Sequence, residues 1–253
     1  HPDFHPTDVM QDADGSLLVC DTGGWYVDAC PVSRISKPES VGGIYRIRKT
    51  DAPVVEDAWA KGVDFSGRSV EALIPLLADE RPQAQRQAIS QLLQRGDDAL
   101  APLRDAVENN TSADVRRNAC WILGQLGGEE GRAGVRSALN DADFEVRVAA
   151  ARMCGMEGDR QAIPALSALL FDPEAAVRRQ AATSIGRLNG IEAAYMLYMA
   201  AAYAGDPHEA HAIVYAAIQL KMDKVARLVL NHTHPSVRRA AAISLDQMEG
   251  DHL

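Results

Sequence analysis

The chain has 253 residues, enough for one or two domains with a sizeable core, and carries a formal charge of −9 at pH 7. That acidity argues against a general grip on nucleic acid and against docking on an anionic membrane surface, both of which need a basic stripe. Aromatics are few (5%) and alanine is abundant, a mixture that suits close-packed helices, and no apolar run is long enough to insert in a bilayer.

In chain order the first elements are strands. Thr7–Met10 and Ser16–Cys20 flank Asp12-Ala13-Asp14-Gly15, a turn in which glycine can take a positive φ. Asp21-Thr22-Gly23-Gly24 closes the second strand, and GGIYRIR from Gly42 to Arg48 reads as a third. Three short strands do not make a stable sheet alone, whereas two strands, a turn and a later strand are what one propeller blade offers. Asp12-x-Asp14-Gly15 has the opening of a calcium loop without its closing glutamate, so a turn is the simpler reading. Cys20 and Cys30 lie ten apart with nothing in the spacing to pair them, and Trp25 and Tyr26 read as packing residues. The chain opens on His1, and the expectation is a fragment whose other strands lie upstream.

After a linker, the chain repeats itself. VRRNA at Val115, VRVAA at Val146 and VRRQA at Val177 recur every 31 residues. The same step backward reaches AQRQA at Ala84, and forward HEAHA at His208; VRRAA at Val237 follows 29 later. In this alignment the fifth position is always alanine (Ala88, Ala119, Ala150, Ala181, Ala212, Ala241). The ninth is always apolar: Leu92, Leu123, Cys154, Ile185, Ala216 and Leu245. Positions one, five and nine share a helix face, and a recurring alanine there means that a neighbouring backbone comes close. Asp172-Pro173, Asp206-Pro207, His234-Pro235 and Arg81-Pro82 precede four copies, placing proline at the first helical position with aspartate as a cap. Second helices are predicted at Ala99–Asn109, Gly131–Asn140, Gln161–Leu170, Ile191–Ala204 and Lys224–Leu230, with Gly127-Gly128 as a stop and Ser69–Ala78 as the end of an incomplete leading repeat.

Several side chains invite a chemical role. Cys154 and Cys120 fall at inward positions and read as small core residues. His208 and His211 have a metal-compatible spacing but no third ligand nearby, so a solvent-facing or capping pair is the simpler reading; His232 and His234 read as turn residues. The recurrent Arg116, Arg147, Arg178 and Arg238 read as ties to aspartates of adjacent loops rather than as a basic ridge. No CxxC, CxxCH, P-loop, dinucleotide fingerprint or Ser/His/Asp set occurs.

The string DxxVRxxAAxxLG at this period, matched by Asp141 or Asp143 with Val146-Arg147 and by Asp172 with Val177-Arg178, resembles short-type HEAT repeats, as in phycobilin lyases and many bacterial scaffolds. The resemblance covers about Ser69 to Leu253 and implies a mainly α solenoid of about six helix pairs that docks a protein. The N-terminal string, with its GGWY, Cys30-Pro31, KPE and GGIYRIR in one order, is similar to the last propeller blade of the large membrane-bound-dehydrogenase-like proteins of planctomycete and verrucomicrobial bacteria. That resemblance implies residues 1–50 as a partial blade, 51–68 as a linker and 69–253 as the solenoid.

It further implies an exported, periplasmic parent oxidoreductase using pyrroloquinoline quinone and haem c, with more blades upstream. His5 or Asp8 would then line a cofactor mouth, although Asp8 fixing a blade turn is the simpler reading. On this reading the chain is not itself catalytic: it has no catalytic or metal residues and holds no cofactor, and the solenoid serves as spacer and docking surface. The alternative is a stand-alone HEAT scaffold, of which a bilin lyase is a variant that the blade string counts against.

Overall fold

The computed structural model describes residues 4–23 and 41–248, so Trp25, Tyr26, Cys30 and Pro31 lie outside the described residues. Contacts gather the chain into two compact units, His1–Phe65 with Asp79–Gln87, and Ser66–Ala78 with Ala88–Leu253.

In the first unit, β1 (Pro6–Gln11), β2 (Leu17–Asp21) and β3 (Gly43–Ile47) form an antiparallel sheet in the order β1-β2-β3. The turn between β1 and β2 is closed by the Gly15 N–H donating to the Asp12 carbonyl at 3.0 Å, with Gly15 at φ 77°. Its aspartates face cations of their own chain: Asp12 meets Arg46 at 2.5 Å, and Asp14 meets Arg46 at 3.2 Å and Arg48 at 2.5 Å. Val9, Val19 and Tyr45 are cross-strand partners and share one face with Leu17 and Ile47; Met10, Leu18, Cys20 and Ile44 lie on the other. Val19 is buried, but Val9, Met10, Leu17, Ile44, Tyr45 and Ile47 are all exposed. Among the described residues both faces therefore carry exposed apolar side chains, with Asp8 and Arg46 interrupting the second.

From Val70 onward the chain is helical. Ser69 caps α1 (Val70–Leu73), which continues as a 3-10 turn to Ala78. Pairs follow: α2 (Pro82–Arg95) with α3 (Leu100–Asn109), α4 (Ala113–Leu126) with α5 (Gly128–Ser137), and α6 (Phe144–Met156) with α7 (Ile163–Leu169). Then come α8 (Ala175–Arg187) with α9 (Ala194–Ala200), α10 (Pro207–Gln219) with α11 (Asp223–Val229), and α12 (Pro235–Gln247). Gly127, at φ 71°, ends α4 as the glycine pair predicts. Each second helix packs on the first helix of the next pair, and the first helices α4, α6, α8, α10 and α12 also pack on one another in series. That is a solenoid, in which no pair buries its apolar face alone.

The repeat register is set by capping. In α4, α6, α8 and α12 the N-cap (Ser112, Asp143, Glu174, His234) lies three residues before the buried valine, which we count as position 1. In α10 the N-cap is Asp206, so position 1 is Glu209 and not His208. The fifth copy therefore begins one residue later than the 31-residue step predicts. Its fifth position is the buried Ile213, while Ala88, Ala119, Ala150, Ala181 and Ala241 are fully buried at that position in the other copies. A second correction concerns Pro173, which precedes the Glu174 cap rather than opening α8; Asp172 accepts the Glu174 N–H at 2.9 Å and does not cap the helix. Pro207 and Pro235 do sit in first turns, and Asp206 accepts the His208 and Glu209 N–H groups at 2.8 and 2.9 Å. Cys120 and Cys154 are core residues; burial pushes both thiols up, Cys154 to about 12.

Position 10 is glycine in α4, α6 and α8, and each meets position 8 of the next first helix. A Cβ on Gly124 would lie 2.1 Å from Met153 Cε, one on Gly155 2.6 Å from Ser184 Oγ and 3.0 Å from Ser184 Cα, and one on Gly186 3.2 Å from Ala216 Cα. Ser184 cannot swing aside freely, because its Oγ donates to the Ala151 carbonyl at 2.7 Å. Gly155→Ala gains up to about 1 kcal/mol of helix propensity but forces overpacking that costs about 1–3 kcal/mol. The expected outcome is a lower thermal midpoint by circular dichroism; an unchanged or higher midpoint would show that α6 and α8 are not in close contact.

Candidate interaction face

The arginine at position 2 joins each repeat to the next. Arg116 donates through Nε and Nη2 to Asp141 at 2.7 and 2.8 Å, Arg147 to Asp172 at 2.8 and 3.0 Å, and Arg178 to Glu209 at 2.5 and 3.0 Å. The Nη1 of each turns back to two carbonyls of the loop before its own helix: Asn110 and Thr111, Asp141 and Ala142, Asp172 and Pro173. Arg238 makes the same backward contacts, to His232 and Thr233. Arg116, Arg147 and Arg178 are therefore ties between loops, as the sequence suggests; Arg238 departs from that reading, since among the described residues it closes only the loop before its own helix and meets no acid.

The acceptors are fixed as firmly as the donors. The residue five before position 1 accepts the backbone N–H two residues on, through Asp79, Asn110, Asp141 and Asp172, and through the Nδ1 of His232 in the last repeat. His232 and His234 thus act in a turn. In the fifth repeat the acid has moved to position 1, where Glu209 is buried and also accepts the Gly205 N–H at 3.0 Å. Burial pushes the Asp141 carboxyl up, but the Arg116 bonds, the Asp143 N–H and the charges of Arg116 and Arg147 outweigh it and hold it below the usual range.

Positions 3 and 7 of the first helices point away from the buried stripe formed by positions 1, 5 and 9. From α4 to α12 they are Arg117 and Trp121, Val148 and Arg152, Arg179 and Thr183, His211 and Tyr215, and Arg239 and Ile243. None is acidic, in a chain of charge −9. Arg152 lies 5.5 Å from the Trp121 ring centroid, a cation–π contact between neighbouring repeats, and His211 stacks on Tyr215 at 6.0 Å. Arg117 is neutralised by Asp114 at 2.6 Å and Glu145 at 2.5 Å. Toward α12 the stripe is less neutralised: Arg179 and Arg239 are exposed, and neither has an ion-pair partner among the described residues. The stripe thus combines guanidinium, ring and aliphatic side chains, the residue types enriched at protein interfaces.

The other candidates lie elsewhere. His5 donates its backbone N–H to Asp21 at 3.0 Å, and Asp8, on the exposed β1, accepts the Val9 N–H at 2.8 Å. His208 is exposed at the start of α10, and His211 belongs to the stripe. The stripe was readable only after the register of the fifth copy was corrected, because a one-residue slip puts Ala210 and Val214 in place of His211 and Tyr215.

The family model for HEAT repeats matches residues 70–141 and 132–218. A segment of 73 residues is 42% identical to the alpha subunit of phycocyanobilin lyase from a Picosynechococcus species, covering 28% of this chain and 27% of that protein. The match thus spans about a quarter of the curated relative's length. Among solved structures, YibA of Escherichia coli is similar in fold at 18% identity and a TM-score of 0.50, over 79% of this chain and 77% of that one. The complex of CpcE and CpcF of phycocyanin lyase from a Nostoc species aligns at 24% identity and a TM-score of 0.48, over 76% and 81%.

Two outcomes test the ties. Removing one member of a buried pair leaves the other charge unpaired, so Glu209→Ala is expected to cost about 3 kcal/mol, while Arg178→Leu with Glu209→Val recovers most of it; equal losses in single and double variants would show that the pair does not couple. For Asp141 the folded pKa is depressed, so its stabilisation is complete above the unfolded value of about 3.9 and is lost as pH falls through the lower folded value. Acid denaturation of Asp141→Asn is therefore expected to be shallower below pH ~4; a curve parallel to that of the parent protein would contradict this.

Proposed function

Since the chain belongs to the HEAT-repeat family, we propose that it is a protein-interaction scaffold that binds an acidic protein segment along positions 3 and 7 of α4, α6, α8, α10 and α12. The observation that carries this reading is the segregation of charge: ten outward positions without a carboxylate on a strongly acidic chain. Arginine and aromatic side chains are the residues that carry most binding energy at protein interfaces. The likeness to lyase subunits supports a scaffold of that kind, but it covers about a quarter of the lyase subunit.

A second reading rests on the N-terminal sheet. A three-stranded meander whose apolar side chains are mostly exposed among the described residues is what part of one blade offers without its neighbours. On this reading the solenoid is the docking arm of an exported propeller oxidoreductase with pyrroloquinoline quinone and haem c. The described residues do not fit either group: His5 and Asp8 alone do not enclose a quinone, no CxxCH is present, and no step is derived through them.

Photo-crosslinking tests the first reading. A benzophenone side chain at Val148 or Thr183 is expected to capture protein in cells of the source organism, and one at Glu108 on α3 is not; equal yields from both positions would refute the assignment. Hydrogen exchange tests the second. Amides of β1 and β2 are expected to exchange much faster than those of α6, and equal protection would mean that the sheet needs no neighbours.

A further inference from the structure

The junction of α10 and α12 differs from those between α4, α6, α8 and α10, and it carries a cleft. Where α4, α6 and α8 have glycine at position 10, α10 has Ile218, which needs room that a glycine does not. Where the other first helices after α2 carry arginine at position 2, α10 has Ala210, so no guanidinium reaches from it to the next loop. A cleft of about 410 Å³ opens at this junction. Its walls include Ala204, Ala210, Val214, Ala240 and Ile243, and Arg239 stands at its edge.

We propose that this cleft is the anchor of the interaction face, taking one apolar side chain of the acidic partner segment while Arg239 pairs with a carboxylate beside it. The inference rests on the proposed interaction face. At about 410 Å³ the cleft has room for a large apolar side chain together with part of its neighbours in the segment, in the range of ligand clefts that begins at about 300 Å³. Small apolar walls offer burial without specific shape, and the charged edge supplies orientation. Asp206 is the carboxylate among the lining residues, and no ion pair joins it to Arg239 among the described residues. Its Oδ1 is held by the His208 and Glu209 N–H groups, which with the nearby charges of His208 and Arg179 hold it ionised as a helix cap. His211, stacked on Tyr215, also lines the cleft and adds aromatic surface to it. An anchor in a pocket ringed by charge is the usual energetic centre of a protein interface.

The probe is a random dodecapeptide display library selected on the full chain, followed by fluorescence anisotropy of the enriched peptides. Enriched sequences are expected to share an apolar residue flanked by Asp or Glu. Their affinity is expected to fall at least tenfold with Arg239→Ser and with Ala210→Leu, which fills the cleft from an exposed position, while thermal melting of both variants stays that of a folded chain. Arg152→Glu separates the two proposals. If binding falls with Arg152→Glu and is indifferent to the two cleft variants, the face stands and the anchor is overturned. If no peptide is enriched, or binding ignores all three substitutions, both are overturned.

Discussion

Everything in the helical unit depends on one arrangement, a guanidinium that holds two loops at once. A repeat of two short helices cannot bury its apolar face alone, so it must be placed against the next repeat with its register fixed. Arg116, Arg147 and Arg178 do this with all the geometry that the planar fork allows: Nη1 closes the loop before the helix, while Nε and Nη2 grip the acid of the following loop. A lysine ammonium, with its donors on one nitrogen, could not make both contact pairs at once. The acid is in turn oriented by a backbone N–H, so neither partner is free to rotate. With the loops held at this spacing, alanine at position 5 and glycine at position 10 become requirements of the packing.

The N-terminal sheet follows a different logic. Its strands are tied at the turn by Asp12, Asp14, Arg46 and Arg48, which secure a hairpin but bury little. Exposed apolar side chains occur on both of its faces, whereas a sheet with one solvated side alternates apolar and polar residues. The two parts of the chain thus solve burial in opposite ways: one through stacking of its own repeats, the other through surfaces still uncovered.

The solenoid was largely legible because its signal is repeated. A single VRxxA string means little, but the same string at a constant step, with alanine four residues on, specifies a helix face. The pairing of arginines with neighbouring loops was also readable, since an acidic chain offers loop carboxylates throughout. The fifth copy was misread because its sequence, HEAHA, shares only alanine with the others; the position of the cap, which decides register, is a matter of backbone geometry. Net charge is a coarser guide than the repeat. A total of −9 says nothing of where the charges lie, and the outward stripe is cationic because the carboxylates are collected in loops and at helix starts. His5 and Asp8 were suggested by resemblance, and the described residues around them supply local hydrogen bonds only.

The replacement of arginine by Ala210 has a mechanical consequence. A row of repeats linked by identical ties behaves as a chain of equal springs, and its response to load is shared among them. At α10 the row is interrupted: no guanidinium passes to the next loop, and α12 is held across the gap by the buried Tyr198 hydroxyl against Ser244 at 2.7 Å, an attachment through α9. One neutral hydrogen bond stands where the joints from α4 to α10 have a bidentate ionic grip. The charged part of the spring row therefore ends at α10, and α12 is attached by packing and a neutral bond alone.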